Sequence, residues 1–582
     1  MRKKLFALVL MVFMISLLVN ACSPAAETPT TSADQPEESA PAEEQEEAAP
    51  EEAAPAEEET APEEAASEEA APAEETSKVG GTFTIAIASD PDTLDPHLTA
   101  MAVSDLVMGF IGASLVWMSP DMTYEPYLAE SWETSEDGLV WTFNLRHDVT
   151  FQNGEPLTAN DYAFTFNRAI DPEVASPGAG AMLGNVVSIE AVDDYTLEIT
   201  LPQANAPILY SLAGPGYMQP INQKTFEEIG AEEYGRQPVG VGPFMIKEWT
   251  TGEKIVLERN PNYNWGPASS QSQGAYNIET IEFVVIPEYA TILAGLEAGE
   301  IDAYFGIQSQ DVDRLEETGM FNIFTGLQQG ISPYLSFNVS QPPFDDVLIR
   351  QAFNYAIDKN ALIQVVLQGK GVVQHGYLSP SVMGYWPDVE EAAYDFDLEK
   401  ARSLMEEAGY SLNDNGIFEK DGQPLSMVLY TLPTDVVVKT AQVLAEQFTT
   451  LGVEIEIQQM ESGILYPQHF MTGDYQLGVA GLGYGEADLM YLAFHSSMVG
   501  GLNLSQLNDP EMDALLEQSR AESDTTARQE ILNQLQAKIA DEALVAPLFA
   551  PQLFFAVNNR WQDVVFNPAL VSLDLSGAYL EQ

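Results

Sequence analysis

Short alternating runs and longer runs of helical period take turns along most of the chain. In "GGTFTIAIASDPDTLDPHL", Phe83, Ile85 and Ile87 alternate with Thr and Ala, which predicts a half-buried strand. The same period of two predicts strands at "LVWTFNLR", "TLEITLP", "EKIVLERN", "IEFVVIP" and "VEIEIQQM". In the last of these, Val453, Ile455 and Ile457 alternate with glutamates. Other stretches place apolar residues three and four apart. "DFDLEKARSLMEEAGY" puts Leu398, Ala401, Leu404, Met405 and Ala408 on one helical face, with Asp397 as N-cap and Gly409 as the stop. "FDDVLIRQAFNYAIDKNALIQVVLQGKG" predicts two helices: Asp345 or Asp346 caps the first, Asp358 caps the second and Gly369 ends it. Arg350 falls on the polar side of the first. "NDPEMDALLEQSR" and "TARQEILNQLQAKIADEA" predict two more. Strands and helices alternate without an internal repeat, so the expected class is α/β with mixed sheets.

The first 78 residues follow another pattern. Arg2, Lys3 and Lys4 precede an apolar run from Leu5 to Val19, too short for the ~20 residues of a spanning helix. A basic head, a short apolar run and small residues make residues 1–21 a secretory signal. The chain's one cysteine, Cys22, follows at once in "VNAC". Val19, Ala21 and Cys22 resemble a bacterial lipobox, with Asn20 a less usual residue between them. The resemblance implies a diacylglyceryl thioether on Cys22. Residues 22–78 are Ala, Glu, Pro, Ser and Thr almost throughout. Proline interrupts any long helix and like charges extend the chain, so this segment is expected to be a disordered tether that holds a globular body off the membrane.

Charge excludes some partners. The 582 residues carry 89 acids against 23 bases, a net charge of −66. Residues 1–78 hold 19 of the acids and 4 of the bases, so the body is strongly acidic as well. A nucleic-acid partner needs a basic stripe, and the chain has none. The plain reading of the acidity is a solvated surface that keeps the protein soluble.

His97, His147, His375, His469 and His495 are far apart, and no His-x3-His or H-E-x-x-H supports a zinc site. G-x-S-x-G and Walker A sequences are absent. One glycine-rich stretch, "VAGLGYGEADLMYL", follows the apolar run "YQLGVA". It offers Gly481, Gly483 and Gly485 but places Glu486 where a dinucleotide fingerprint needs its third glycine. Two carboxylates, Glu486 and Asp488, would also repel a pyrophosphate. No catalytic residue, cofactor or metal is expected.

Seven stretches, in order, resemble the family 5 extracellular solute-binding proteins of ABC importers, the peptide- and nickel-binding type. They are "DPDTLDP" (90–96), "YLAESWETSEDGLVWTFNLRHDVTFQNGEPLTANDYAFTFNRAID" (127–171), "VGVGPFMIKEWTTGEKIVLERNPNYN" (239–264), "LEAGEIDA" (296–303), "YLSFNVSQPPFDDVLIRQAFNYAIDKNAL" (334–362), "DLEKARSLMEEAGY" (397–410) and "NDPEMDALLEQSR" (508–520). The resemblance covers residues 79–565. Physically, most of these residues are scaffold; Gly240, Gly242 and Pro243, for example, suit a tight turn into a strand paired with "KIVLERN".

The resemblance implies a two-lobed periplasmic-binding-protein-like α/β fold of class II type. Lobe one would be 79–328 plus 548–582, with an extra small domain inserted at about 119–205, and lobe two would be 329–547. The crossings would fall near "TGLQQGISPY" and "LVAPLFAPQ". It further implies a monomer, anchored extracytoplasmically through Cys22, that captures a solute by lobe closure and delivers it to an ABC permease and ATPase. Oligopeptides are the leading solute and oligosaccharides the alternative. A peptide-sensing or chaperone-like role and an exported hydrolase are the readings of other classes.

In peptide-binding members the segment matching "GLGYGEAD" carries a Trp and an Asp that pairs with the peptide's amino group. By position the Trp place here is Leu482 or Tyr484, and the Asp place is Gly485. Glu486 stands one residue on and is long enough to reach an ammonium; Asp488 matches a second family acid. The expected ligand contacts are Tyr334, Asn338, Trp386, Tyr484, Gly485, Glu486 and Asp488, with Tyr385 and Tyr466 as further aromatics.

Overall fold

A computed structural model describes residues 78–581 apart from Pro215. The expected signal, lipidated Cys22 and nearly all of the acidic tether lie outside the described residues.

Two sheets organise the body. The larger has the order Phe321–Leu327, Phe549–Asn558, Ala303–Phe305, Thr82–Ile87, Thr280–Val285, Lys254–Arg259, Phe244–Thr250, with Gly371–Val373 added against Phe549–Asn558. Thr82–Ile87 runs parallel to Thr280–Val285 and Phe83 and Ile85 are fully buried, as the alternation requires. The second sheet has the order Glu454–Gln459, Ser426–Thr431, Leu477–Leu482, Ile331–Phe337, Val545–Pro547. Apart from the short excursion at Gly371–Val373, the chain passes between the sheets after Leu327 and at Leu548. A third, antiparallel sheet of four strands lies within residues 129–200 and carries the helix Ala159–Ala169, opened by a capping box between Thr158 and Asp161.

All six strands predicted from alternation are present, at Thr82–Ile87, Val140–Leu145, Thr196–Thr200, Lys254–Arg259, Thr280–Val285 and Glu454–Gln459. The caps also form as read. Asp346, Asp358 and Asp397 accept from the Leu348, Ala361 and Lys400 N–H groups at 2.8–2.9 Å, and Gly409 adopts φ +87° just past the helix Leu398–Glu407.

Two local readings change. Arg350 is not on a solvated face. It is 7% exposed; its Nε and Nη2 donate to the Glu542 carbonyl at 3.0 and 2.7 Å, and its Nη1 donates to the Phe344 carbonyl at 2.7 Å. It caps the C-terminus of the distant helix Thr525–Asp541, a partner no local period reveals. Gly240 and Gly242 are required by a close approach. A Cβ on either would lie 2.1 or 2.5 Å from the Ile111 backbone, and the Gly242 N–H donates to the Ile111 carbonyl at 2.7 Å.

Candidate interlobe site

A cavity of about 1010 Å³ opens where the second sheet faces the four-stranded sheet and its flanking helices. Its floor is the end of the strand Leu477–Leu482 and the glycine loop beyond it. Met182, Leu183 and Val186, Asn205 and Ser211 lie on the opposite wall. Leu432, Val437, Tyr466, Tyr491 and Met498 close the sides. The volume is at the upper end of the ~300–1,000 Å³ typical of small-molecule pockets.

Hydrogen-bond phase makes the floor available to a ligand. The Asn338 N–H donates to the Gln476 carbonyl at 3.0 Å. In an antiparallel ladder this turns the backbone groups of Gln476, Gly478 and Ala480 towards Ile331–Phe337, and those of Leu477, Val479 and Gly481 to the other side. On that side the strand Ser426–Thr431 pairs only at Leu429 with Leu477 and at Tyr430 with Gly478. Past Gly478 the strand therefore continues as an edge, and residues 479–483 line the cavity.

Two carboxylates follow, and both are engaged within the protein. Asp488 takes a bidentate pair from Arg520, with Nε and Nη2 each at 2.6 Å, and Arg520 stacks 3.3 Å above the Tyr491 ring. Glu486 is fully buried; its Oε1 lies 2.5 Å from Arg528 Nη1, and its Oε2 accepts from the Asp488 N–H at 2.5 Å. Burial works against the charge on each arginine, but the facing carboxylates outweigh it and hold both guanidiniums above their ordinary pKa. Each guanidinium thus keeps its charge against a carboxylate of the same loop.

Gly485 lies under a side chain from across the cavity. Its N–H donates to Tyr210 Oη at 3.1 Å, and a Cβ on it would stand 2.3 Å from that oxygen and 2.9 Å from the Gln329 side chain. Tyr210 and Tyr484 meet edge to face at 5.0 Å. Burial pushes the Tyr210 hydroxyl up to about 12, with the Glu486 charge adding to the shift and the Gly485 N–H opposing it. A second link joins the same two sides: the Ala206 N–H donates to the Arg520 carbonyl at 2.8 Å. A third joins Tyr124 Oη to Met383 Sδ at 3.4 Å.

The residues singled out from sequence separate in space. Tyr484 and Asp488 line the cavity, as does Tyr466, and Gly485 and Glu486 lie in the loop beside it. Tyr334 is 3% exposed and packs edge to face on Tyr377 in the core. Asn338 is fully buried, and its Nδ2 donates to the Gly473 and Tyr475 carbonyls at 2.9 Å. Trp386 and Tyr385 lie outside the cavity lining; the Trp386 backbone N–H donates to Gln536 Oε1 at 3.2 Å. Sequence reading missed Tyr210, Arg520 and Arg528. The one usable signal for the arginines was scarcity: with 23 bases against 89 acids, a base in this chain has many acids competing for it.

The family model described as "Bacterial extracellular solute-binding proteins, family 5 Middle" matches residues 123–498. The chain belongs to that family, whose members are the substrate-binding proteins of ABC transporters. It is 30% identical to the nickel-binding periplasmic protein of Escherichia coli, over 78% of this chain and 86% of that one. It is 28% identical to the oligopeptide-binding protein OppA of Bacillus subtilis, over 82% of this chain and 88% of that one. Among solved structures, HbpA2 from Haemophilus parasuis superposes with a TM-score of 0.77 at 26% identity, covering 86% of this chain and all of that one.

Proposed function

We propose that this chain is the lipid-anchored binding component of an ABC importer and captures an oligopeptide or a similar amide-bearing solute between its lobes. The observation that carries the reading is the edge at residues 479–483 inside a cavity of about 1010 Å³. An extended main chain laid along that edge would find the N–H and C=O groups that Ser426–Thr431 leaves behind, which is strand addition at the scale of a ligand. Side chains of the solute would meet the apolar walls. Tyr210 to Gly485 and Ala206 to Arg520 link the two walls across the cavity, as expected of a closed lobe pair. The closed form is then what the permease recognises. No bond of the solute is made or broken.

Ligand retained by the purified chain tests the capture. Mass spectrometry of the natively released solute, followed by calorimetry with it, should return peptide-like molecules; a retained sugar or metal chelate would reject the solute class. Metabolic labelling with a fatty-acid analogue tests the anchor: the chain should take up label and Cys22→Ser should not. A Cys22→Ser chain that labels as well as the parent would reject lipid attachment at Cys22.

A further inference from the structure

The charge inventory of the cavity goes one step beyond capture of an amide-bearing solute, and rests on the reading that this cavity is the capture site. Among the described residues only two charged ones line it, Asp488 and Arg520, and each satisfies the other through two hydrogen bonds of 2.6 Å. The next carboxylate, Glu486, is closed off with Arg528 and is fully buried. What remains for a ligand is uncharged: the strand edge, tyrosine hydroxyls, the amides of Asn185, Gln203 and Gln328, and apolar walls. Asn205, also on the lining, holds a buried Oδ1 with no donor among the described residues.

An ammonium or carboxylate carried into such a space would lose its hydration without gaining a counter-charge, a cost that apolar contact does not offset. We propose that the cavity selects solutes that bring no charge into it: uncharged, largely apolar, amide-bearing molecules, of which short peptides with blocked or cyclised ends are the fitting class. The acidic loop that looks suited to an amino terminus is therefore a neutral wall. Discrimination comes from Arg520 and Arg528, which hold the two carboxylates before a ligand arrives.

Two probe pairs test this on the mature chain. The first is neutral N-phenyl-1-naphthylamine against its sulfonated analogue 8-anilinonaphthalene-1-sulfonate, followed by fluorescence. The second is a set of apolar tetrapeptides, acetylated and amidated or with both ends free, used to displace the naphthylamine. The expected result is naphthylamine binding, displacement by the blocked tetrapeptides, and at least about tenfold weaker binding of the sulfonate and the free-ended forms. Free-ended peptides that displace as well as blocked ones, or no naphthylamine binding, would overturn the proposal. If neither peptide form displaces while the neutral probe still outbinds the sulfonate tenfold, charge selection stands and the peptide reading of the strand edge falls. Val437→Asp adds an unpartnered carboxylate to a half-buried lining position and should shift preference about tenfold towards tetrapeptides with a free amino end and an amidated carboxyl end. Gln328→Glu, nearly isosteric and half-buried on the lining, makes the same test should Val437→Asp not fold. Unchanged preference in a folded variant counts against the proposal.

Discussion

Two buried arginine–carboxylate pairs in this protein share chemistry and differ in purpose. In one, Arg168 Nη1 and Nη2 donate to the two oxygens of Asp95 at 2.8 and 2.7 Å, and the guanidinium sits 4.5 Å above the Phe226 ring. In the other, Arg520 holds Asp488 in the same fork and stacks on Tyr491. The first pair welds the turn after the strand Thr82–Ile87 to the helix Ala159–Ala169, and lies outside the cavity lining. The second faces the cavity. The difference teaches that an acid beside a cavity can already be engaged by a base distant in sequence.

Breaking the pairs should expose the contrast. Arg168→Met strands a carboxylate that has no water to return to, so it should cost about 3–5 kcal/mol in denaturant unfolding. Arg520→Met should cost less, about 1–3 kcal/mol, because Asp488 can be hydrated from the cavity. Equal costs would mean that the two sites are equally closed.

The first cluster also holds His97, whose Nδ1 lies 2.7 Å from Arg168 Nη1. Burial, then the Arg168 charge, lowers its pKa from 6.5 to about 3. The folded state keeps His97 neutral where the unfolded chain would protonate it. Its contribution is therefore fully present above pH ~6.5 and is lost as pH falls towards ~3, with a slope of about 1.4 kcal/mol per pH unit. His97→Asn should flatten unfolding stability across that window, in a pH series of chemical denaturation. An unchanged slope would place the acid sensitivity elsewhere.

Glu486→Gln sharpens the comparison at the cavity. The amide removes the charge that faces Arg528 and leaves the guanidinium uncompensated, so stability should fall by about 1–3 kcal/mol, while affinity for ligands with a free amino end stays unchanged. A selective loss of that affinity would make Glu486 an anchor after all. The smallest effect belongs to Tyr210→Phe, which removes the acceptor for the Gly485 N–H. About 0.5–1.5 kcal/mol should be lost from the closed form, read as a larger open population in small-angle scattering.

Much of the scaffold was legible in the chain. Alternation placed the strands and aspartate caps placed helix starts, because both are local: a strand's two faces and a helix's first turn are set by residues within a few positions. Long family-like stretches carried the class. The site was less legible. Tyr334 and Asn338 have the right chemistry for ligands, but neighbours distant in sequence turn both inward. Tyr484 and Asp488, read from their place beside the glycines, line the cavity.

The sequence by itself determined an α/β body, its sheet strands, its helix caps and its family, since each depends on short-range period or on residues read in order. Only the tertiary structure decided what "GLGYGEAD" does. Gly485 is glycine because Tyr210, 275 positions earlier, comes to rest on it. Glu486 and Asp488 are held within the protein because Arg528 and Arg520 arrive from a later part of the chain. Side chains this far apart in sequence meet only after the sheets have packed, and a buried charge takes whichever partner packing delivers.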